Sequence, residues 1–207
     1  MDSGKALARS GELLIDYTNS IDQYGGGLSS AGAAMRNGGD YLAQAAASTR
    51  FKTAAELVSS ELREAGDCLL EASGKLALAM EEFEVVTKQA EEEDGSGGRK
   101  DLSKLIPILQ DAIVPMKRCG DALEGAGAAI VKQMTVVDVG KELEIGAEAM
   151  LELSALIGNL VLEDENGKLS SQRLAFASTK MKEAGNKLTG TPIEKPKGKA
   201  WLKGGLQ

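Results

Sequence analysis

Leu62-Arg63-Glu64-Ala65-Gly66-Asp67-Cys68-Leu69-Leu70-Glu71-Ala72-Ser73 places a large apolar residue, then two small ones three and four positions later, and repeats the unit after seven residues. The unit returns as Met116-x-x-Cys119-Gly120, Leu123-x-x-Ala126-Gly127, Leu174-x-x-Ala177-Ser178 and Met181-x-x-Ala184-Gly185. A strict seven-residue repeat keeps one stripe of a helix facing its partner under a gentle left-handed supercoil. With the large residue at position a, the small pair falls at d and e, where Ala and Gly let two backbones approach closely. The pattern therefore predicts tight antiparallel helix packing.

The stripe extends through the chain in separate phases. Large residues stand at Leu7, Leu14, Ile21, Leu28, Met35 and Leu42, at Leu62, Leu69, Leu76 and Phe83, and at Leu102, Leu109, Met116, Leu123, Ile130 and Val137. Shorter runs follow at Leu143, Met150 and Ile157 and at Leu174, Met181 and Leu188. Breaks in phase mark turns between helices. The composition agrees: aromatics make up 3% of the 207 residues, so the core must be thin and closely packed, and no stretch alternates apolar and polar residues over a strand's length. The expected fold is all-α, an elongated, alanine-rich antiparallel bundle of four to six helices with coiled-coil-like Ala/Gly heptad seams, occupying residues 1–189.

Individual helices can be placed from phase and punctuation. The unbroken phase from Ser3 to Ala46 favours one long helix over a hairpin turning at Gly25-Gly26-Gly27, although each glycine costs a helix about 0.5–1 kcal/mol relative to Ala. A second helix is expected from Thr53 to Glu92. Residues 91–100, acidic then Gly/Ser-rich, read as a solvated, mobile loop. A third helix should begin at a cap on Asp101 or Ser103 and reach Val136, kinked or divided at Pro115. Asp138 and Gly140 read as a turn, followed by a helix over 141–162 apolar enough to sit centrally or face a partner. After a turn at Glu163–Gly167, the last helix should run from Leu169 or Ser170 to Leu188.

Charge divides the chain. Residues 190–207 carry four Lys and one Glu, +3, so the total of −7 leaves −10 on residues 1–189. An acidic body argues against nucleic acid as the partner and against broad docking on anionic lipid. The position after the small pair is acidic at Glu12, Asp40, Asp67 and Asp121, with Asn186 in the last copy; it faces away from the seam and reads as a solvated face, not a cation site. The first ten residues lack the apolar core of a signal peptide, and no apolar run approaches the roughly 20 residues of a membrane span. The expectation is a soluble chain whose association with a membrane, if any, is peripheral. Two cysteines, Cys68 and Cys119, form no disulfide framework and set no compartment.

The chemistry the chain could carry is narrow. There is no histidine, which removes the usual general base, the usual zinc ligand and every Ser-His or Cys-His nucleophile. Carboxylate pairs such as Glu81-Glu82 and Glu142/Glu144 belong to charged helix faces, and the Gly-rich segments lack the Gly-Lys-Ser/Thr ending of a phosphate loop. Cys119 occupies a small seam position and should be a buried, inert thiol. No catalytic residue, metal ligand or cofactor is expected.

The tail, 190–207, departs from the heptad pattern. Trp201-Leu202 between Lys199 and Lys203, in a Pro- and Gly-punctuated basic segment, has the composition of a docking element, because Trp supplies a large contact area at low entropic cost. Folding back onto the bundle is the alternative. The reading is a non-catalytic structural, linker or scaffold subunit of a larger protein assembly, with Lys199, Trp201, Leu202 and Lys203 as partner-binding residues. The alternative is a carrier of a small apolar ligand, pigment or lipid in a groove between helices.

Overall fold

The computed structural model describes residues 1–18, 26–92, 105–160 and 165–191. Among them are six helices and no strand: α1 (Asp2–Thr18), α2 (Gly26–Arg50), α3 (Ala55–Glu92), α4 (Leu105–Val131), α5 (Val136–Leu160) and α6 (Glu165–Thr189). Each helix packs on the next in sequence, and α1 closes the set by packing, less extensively, on α6.

Every neighbouring pair is antiparallel, as the facing residues show. Gly4 and Gly11 of α1 face Gly39 and Gly32 of α2; Gly27 and Gly38 of α2 face Ala79 and Cys68 of α3; Ser59 and Gly66 of α3 face Gly127 and Gly120 of α4. Across α4 and α5, Gly125 meets Glu142 and Arg118 pairs with Glu152. Gly140 of α5 faces Gly185 of α6, and Ser3 and Ser10 of α1 reach Ala177 and Ser170 of α6. An even number of up-and-down helices is what allows the last to meet the first antiparallel. α3 is the longest, 38 residues, roughly 57 Å at 1.5 Å per residue.

The large heptad residues fill one contiguous interior. Leu7, Leu28, Met35, Leu69, Phe83, Leu109, Leu123, Met150 and Leu174 are fully buried in a single cluster drawn from all six helices. The small positions set the spacing around it. A Cβ built on Gly66 would stand 2.7 Å from the Gly120 carbonyl oxygen, and one on Gly120 would stand 2.9 Å from that of Gly66. The same reciprocal contact joins Gly140 to Gly185, at 2.9 and 2.7 Å, and joins Gly4 to Gly39 and Gly11 to Gly32 more tightly still. Only glycine permits helix backbones to touch in this way.

These glycines expose a threefold internal repeat. Met35-Arg36-Asn37-Gly38-Gly39-Asp40-Tyr41-Leu42, Met116-Lys117-Arg118-Cys119-Gly120-Asp121-Ala122-Leu123 and Met181-Lys182-Glu183-Ala184-Gly185-Asn186-Lys187-Leu188 share Met-(Lys/Arg)-x-x-Gly-(Asp/Asn)-x-Leu on α2, α4 and α6. Their glycines Gly39, Gly120 and Gly185 face Gly4, Gly66 and Gly140, and each of those opens Gly-x-x-Leu on the preceding helix. The bundle is thus three helical hairpins of one design, side by side.

Several sequence expectations are corrected. Residues 3–46 do not form one long helix: α1 ends at Thr18 and α2 starts at Gly26, antiparallel, because Gly4 and Gly11 contribute more by receiving α2's backbone than continuous phase would. The third helix, described from Leu105, ends at Val131 instead of reaching Val136 and continues through the buried Pro115 without division, while the expected cap at Asp101 or Ser103 lies outside the described residues. Asp138 and Gly140 lie inside α5, not in a turn. The Thr135 hydroxyl accepts the Asp138 backbone N–H at 3.3 Å while the Asp138 carboxylate accepts the Thr135 N–H at 3.1 Å, a reciprocal cap that opens the helix at Val136. The Thr135 bonds also hold the Asp138 carboxyl below its ordinary value. α6 begins at Glu165, earlier than expected.

α5 does not sit centrally. It packs between α4 and α6 and leaves Ile145, Leu151 and Val136 exposed. Ala184, expected in a seam, is exposed because α6 runs past the start of α1, whose Ser3 already stands opposite Ala177. Glu91 and Glu92 belong to α3, and the remainder of the 91–100 loop lies outside the described residues.

Candidate docking surfaces

The helix ends determine what the bundle presents. Because neighbours alternate in direction, the turns 51–54 and 132–135 and the end of α6 at Gly190 all lie at one end. The two turns share a backbone. In the first, Phe51, Lys52 and Thr53 N–H donate to the carbonyls of Ala47, Thr49 and Ser48; in the second, Lys132, Gln133 and Met134 donate to Ala128, Ile130 and Ala129. Each is a left-handed helix cap with Lys52 (φ 54°) or Gln133 (φ 52°) at the strained position, and Gly190 (φ 75°) has the same left-handed φ just after α6.

This geometry turns apolar side chains outward. Phe51 is 76% exposed, Val136 65%, Val131 57%, Met134 51% and Leu57 47%. Arg50, Lys52 and Lys132 are exposed among them. The carboxylates at this end are Glu56, Glu61, Asp138 and Glu144, of which Glu61 accepts the Ser48 hydroxyl at 3.0 Å, Asp138 is engaged by Thr135 and Glu144 by Thr189. The most exposed charges of this end are thus mainly cationic, Arg50, Lys52 and Lys132 against Glu56, whereas residues 1–189 together carry −10. The heptad pattern assigns Arg50–Lys52 no role, since they precede the helix it places from Thr53. The available signal was Phe51 and Met134 standing between polar residues in turns, where nothing requires a large apolar side chain.

A second surface lies where the ring closes. Asp2, Lys5, Ala6 and Arg9 of α1 and Leu169, Gln172, Arg173 and Phe176 of α6 line an open groove of about 410 Å³. Its apolar floor includes the half-exposed Phe176, with the Lys180 ammonium 5.4 Å from the ring centre. Arg9 is held by Glu12 at 2.6 Å. The groove exists because α1 and α6 meet through serines, Ser10 to Ser170 at 3.1 Å and Ser3 to the Ala177 carbonyl at 3.0 Å, and not through facing glycines.

The remaining candidates are not drawn together. Asp40, Asp67 and Asp121 are exposed on three different helices and Glu12 is half-buried on a fourth. No group of three metal-ligating side chains converges among the described residues. Glu82 accepts the Gly27 N–H at 3.2 Å and Glu144 the Thr189 hydroxyl at 2.8 Å, both packing roles. Burial lifts the Glu142 carboxyl above its ordinary value where it lies against Gly125. Cys119 is buried and its thiol pushed up to about 12 by burial, which leaves it protonated; Cys68, half-buried, is raised by burial and then by Glu71, Glu64 and Asp67. Lys199, Trp201, Leu202 and Lys203 lie outside the described residues, although the chain leaves the bundle toward them at the apolar, cationic end. No helix among the described residues is long and apolar enough to cross a membrane. No protein-family model matches the chain, and no curated protein or solved structure matches it.

Proposed function

We propose that the chain is a non-catalytic structural subunit, a linker or scaffold, of a larger protein assembly. The bundle supplies a stiff spacer, and the end carrying Phe51 and Met134, where α6 closes at Gly190, supplies the attachment together with Lys199, Trp201, Leu202 and Lys203. The observation that carries this reading is the concentration of exposed apolar and cationic side chains at one end of an acidic rod. Exposed apolar patches of this kind mark interaction surfaces. The absence of histidine supports a non-catalytic role.

Co-purification from the native source tests the reading, comparing the whole chain with a form truncated after Gly190. Partner subunits should accompany the whole chain and be recovered less from the truncated one, with helicity and melting unchanged. If the truncated form melts several degrees lower and retains every partner, the tail belongs to the bundle's own packing.

The α1–α6 groove favours a second reading. An apolar floor between Leu169 and Phe176, rimmed by Lys5, Arg173 and the Glu12-paired Arg9 with Asp2 beside them, suits a small amphiphile. Native mass spectrometry separates the two, since a ligand adds a small mass and a partner adds a chain.

A further inference from the structure

We propose that the bundle end formed by the turns at 51–54 and 132–135 seats end-on on an anionic lipid surface, Phe51 and Met134 entering the headgroup layer while Arg50, Lys52 and Lys132 meet lipid phosphate and carboxylate groups. The inference rests on the reading of this end as the attachment and names what it attaches to.

Size argues for lipid. A stable protein interface takes about 800 Å² and 20–30 residues from each partner, whereas this end offers two short turns and five large apolar side chains. Shallow insertion needs only such a tip, apolar side chains ringed by cations. Electrostatics agrees once distance is counted. The −10 on residues 1–189 is distributed over the whole of that span, whose helices run from 17 to 38 residues, roughly 26–57 Å, while charges beyond about 8 Å are screened at physiological ionic strength. A membrane at the tip therefore meets Arg50, Lys52 and Lys132 together with Glu56 and the Thr135-bonded Asp138, and not the acidic flanks. This reconciles the charge of the body, which opposes broad docking, with attachment at one end.

The backbone adds an independent point. The left-handed cap costs a non-glycine residue about 1–2 kcal/mol. Gly190 supplies glycine at that φ just after α6, yet the turn after α2 holds Lys52 there. The turn after α4 holds Gln133 at the same φ, so a non-glycine residue stands in both turns, and in the first it puts a cation at the tip.

Co-sedimentation of the full chain with vesicles tests the proposal, comparing phosphatidylcholine alone with phosphatidylcholine containing about a third phosphatidylserine, at low and high salt. Binding should require phosphatidylserine and disappear at high salt. Lys52→Gly should weaken binding about fivefold while melting at or above the parent temperature, so lost binding cannot be lost folding. Phe51→Ser should weaken it as well, at an exposed position that does not disturb the core. Failure to bind phosphatidylserine vesicles, equal binding to both vesicle types, or unchanged binding by both variants would overturn the proposal. If Phe51→Ser/Lys52→Gly keeps its vesicle binding and loses its co-purified subunits, the end is a protein interface: the lipid proposal fails and the structural-subunit reading stands. If the variant loses vesicle binding and keeps its subunits, the lipid contact is established separately from assembly.

Discussion

Two glycines on α3 give opposite answers to the same substitution. Gly66 faces α4: a methyl there would lie 2.7 Å from the Gly120 carbonyl oxygen, 2.8 Å from the Glu124 backbone nitrogen and 3.1 Å from the Glu124 Cβ. Gly74, eight residues on, has nothing within 4 Å of a built Cβ. Both lie within the same helix, so replacing either by Ala gains similar helix propensity, about 0.8–1 kcal/mol. At Gly74 that gain stands alone. At Gly66 the nearest obstacles are backbone atoms, which cannot rotate away, and ordinary contact begins near 3.4 Å, so α4 must give by about 0.7 Å. Separating the helices loosens the contacts of Ala65, Leu69 and Cys119, all fully buried. Overpacking of this kind costs about 1–3 kcal/mol. Gly74→Ala should therefore stabilise by about 0.5–1 kcal/mol, and Gly66→Ala should give no gain and destabilise by up to about 2 kcal/mol after its propensity gain is subtracted. For a chain of this size 1 kcal/mol moves the melting temperature about 2–4 °C, so thermal melts followed by circular dichroism resolve the difference in sign. If Gly66→Ala stabilises as much as Gly74→Ala, the backbone contact between α3 and α4 does not exist and the seam has been misassigned.

Three further outcomes follow from single sites. Gln133→Gly relieves a left-handed φ of 52° and should raise stability by about 0.5–1 kcal/mol, measured by urea unfolding; a loss would show that the Gln133 side chain makes a stabilising contact. Burial raises the Glu142 carboxyl above its unfolded value, so the folded state binds the extra proton and its stability falls as pH rises through that window. Glu142→Gln should accordingly raise the melting temperature at neutral pH and leave it unchanged well below the carboxylate range, and a shift equal at both pH values would refute the titration as its cause. In the native state at pH 8, iodoacetamide should leave Cys119 unmodified, its thiol being buried and held near 12, and should modify Cys68 slowly; rapid labelling of Cys119 would mean that α3 and α4 separate readily.

Much of the architecture was legible because one local rule generates it. Leu62, Leu69 and Leu123 fill the core, and Ala65, Gly66, Ala126 and Gly127 are buried at helix contacts, as their heptad positions require. The threefold Met-(Lys/Arg)-x-x-Gly-(Asp/Asn)-x-Leu repeat was equally available in the sequence, but seven-residue periodicity hides it: every heptad resembles every other until the facing glycines single out three. Helix ends were less legible. Phase passes undisturbed between Leu14 and Leu28 although α1 and α2 are antiparallel, since periodicity records which face is apolar and not whether the chain has reversed.

By itself the sequence determined the all-helical class, the antiparallel seams, the large residues of the interior and the charge split between body and tail, because each of these depends on spacing of three, four or seven residues or on composition. Only the tertiary structure decided that six helices close on one another with serines at the α1–α6 joint, and that Phe51, Met134, Arg50, Lys52 and Lys132 share one end. Those residues are some 80 positions apart in the chain, and what unites them is the alternation of helix direction, which no local pattern encodes.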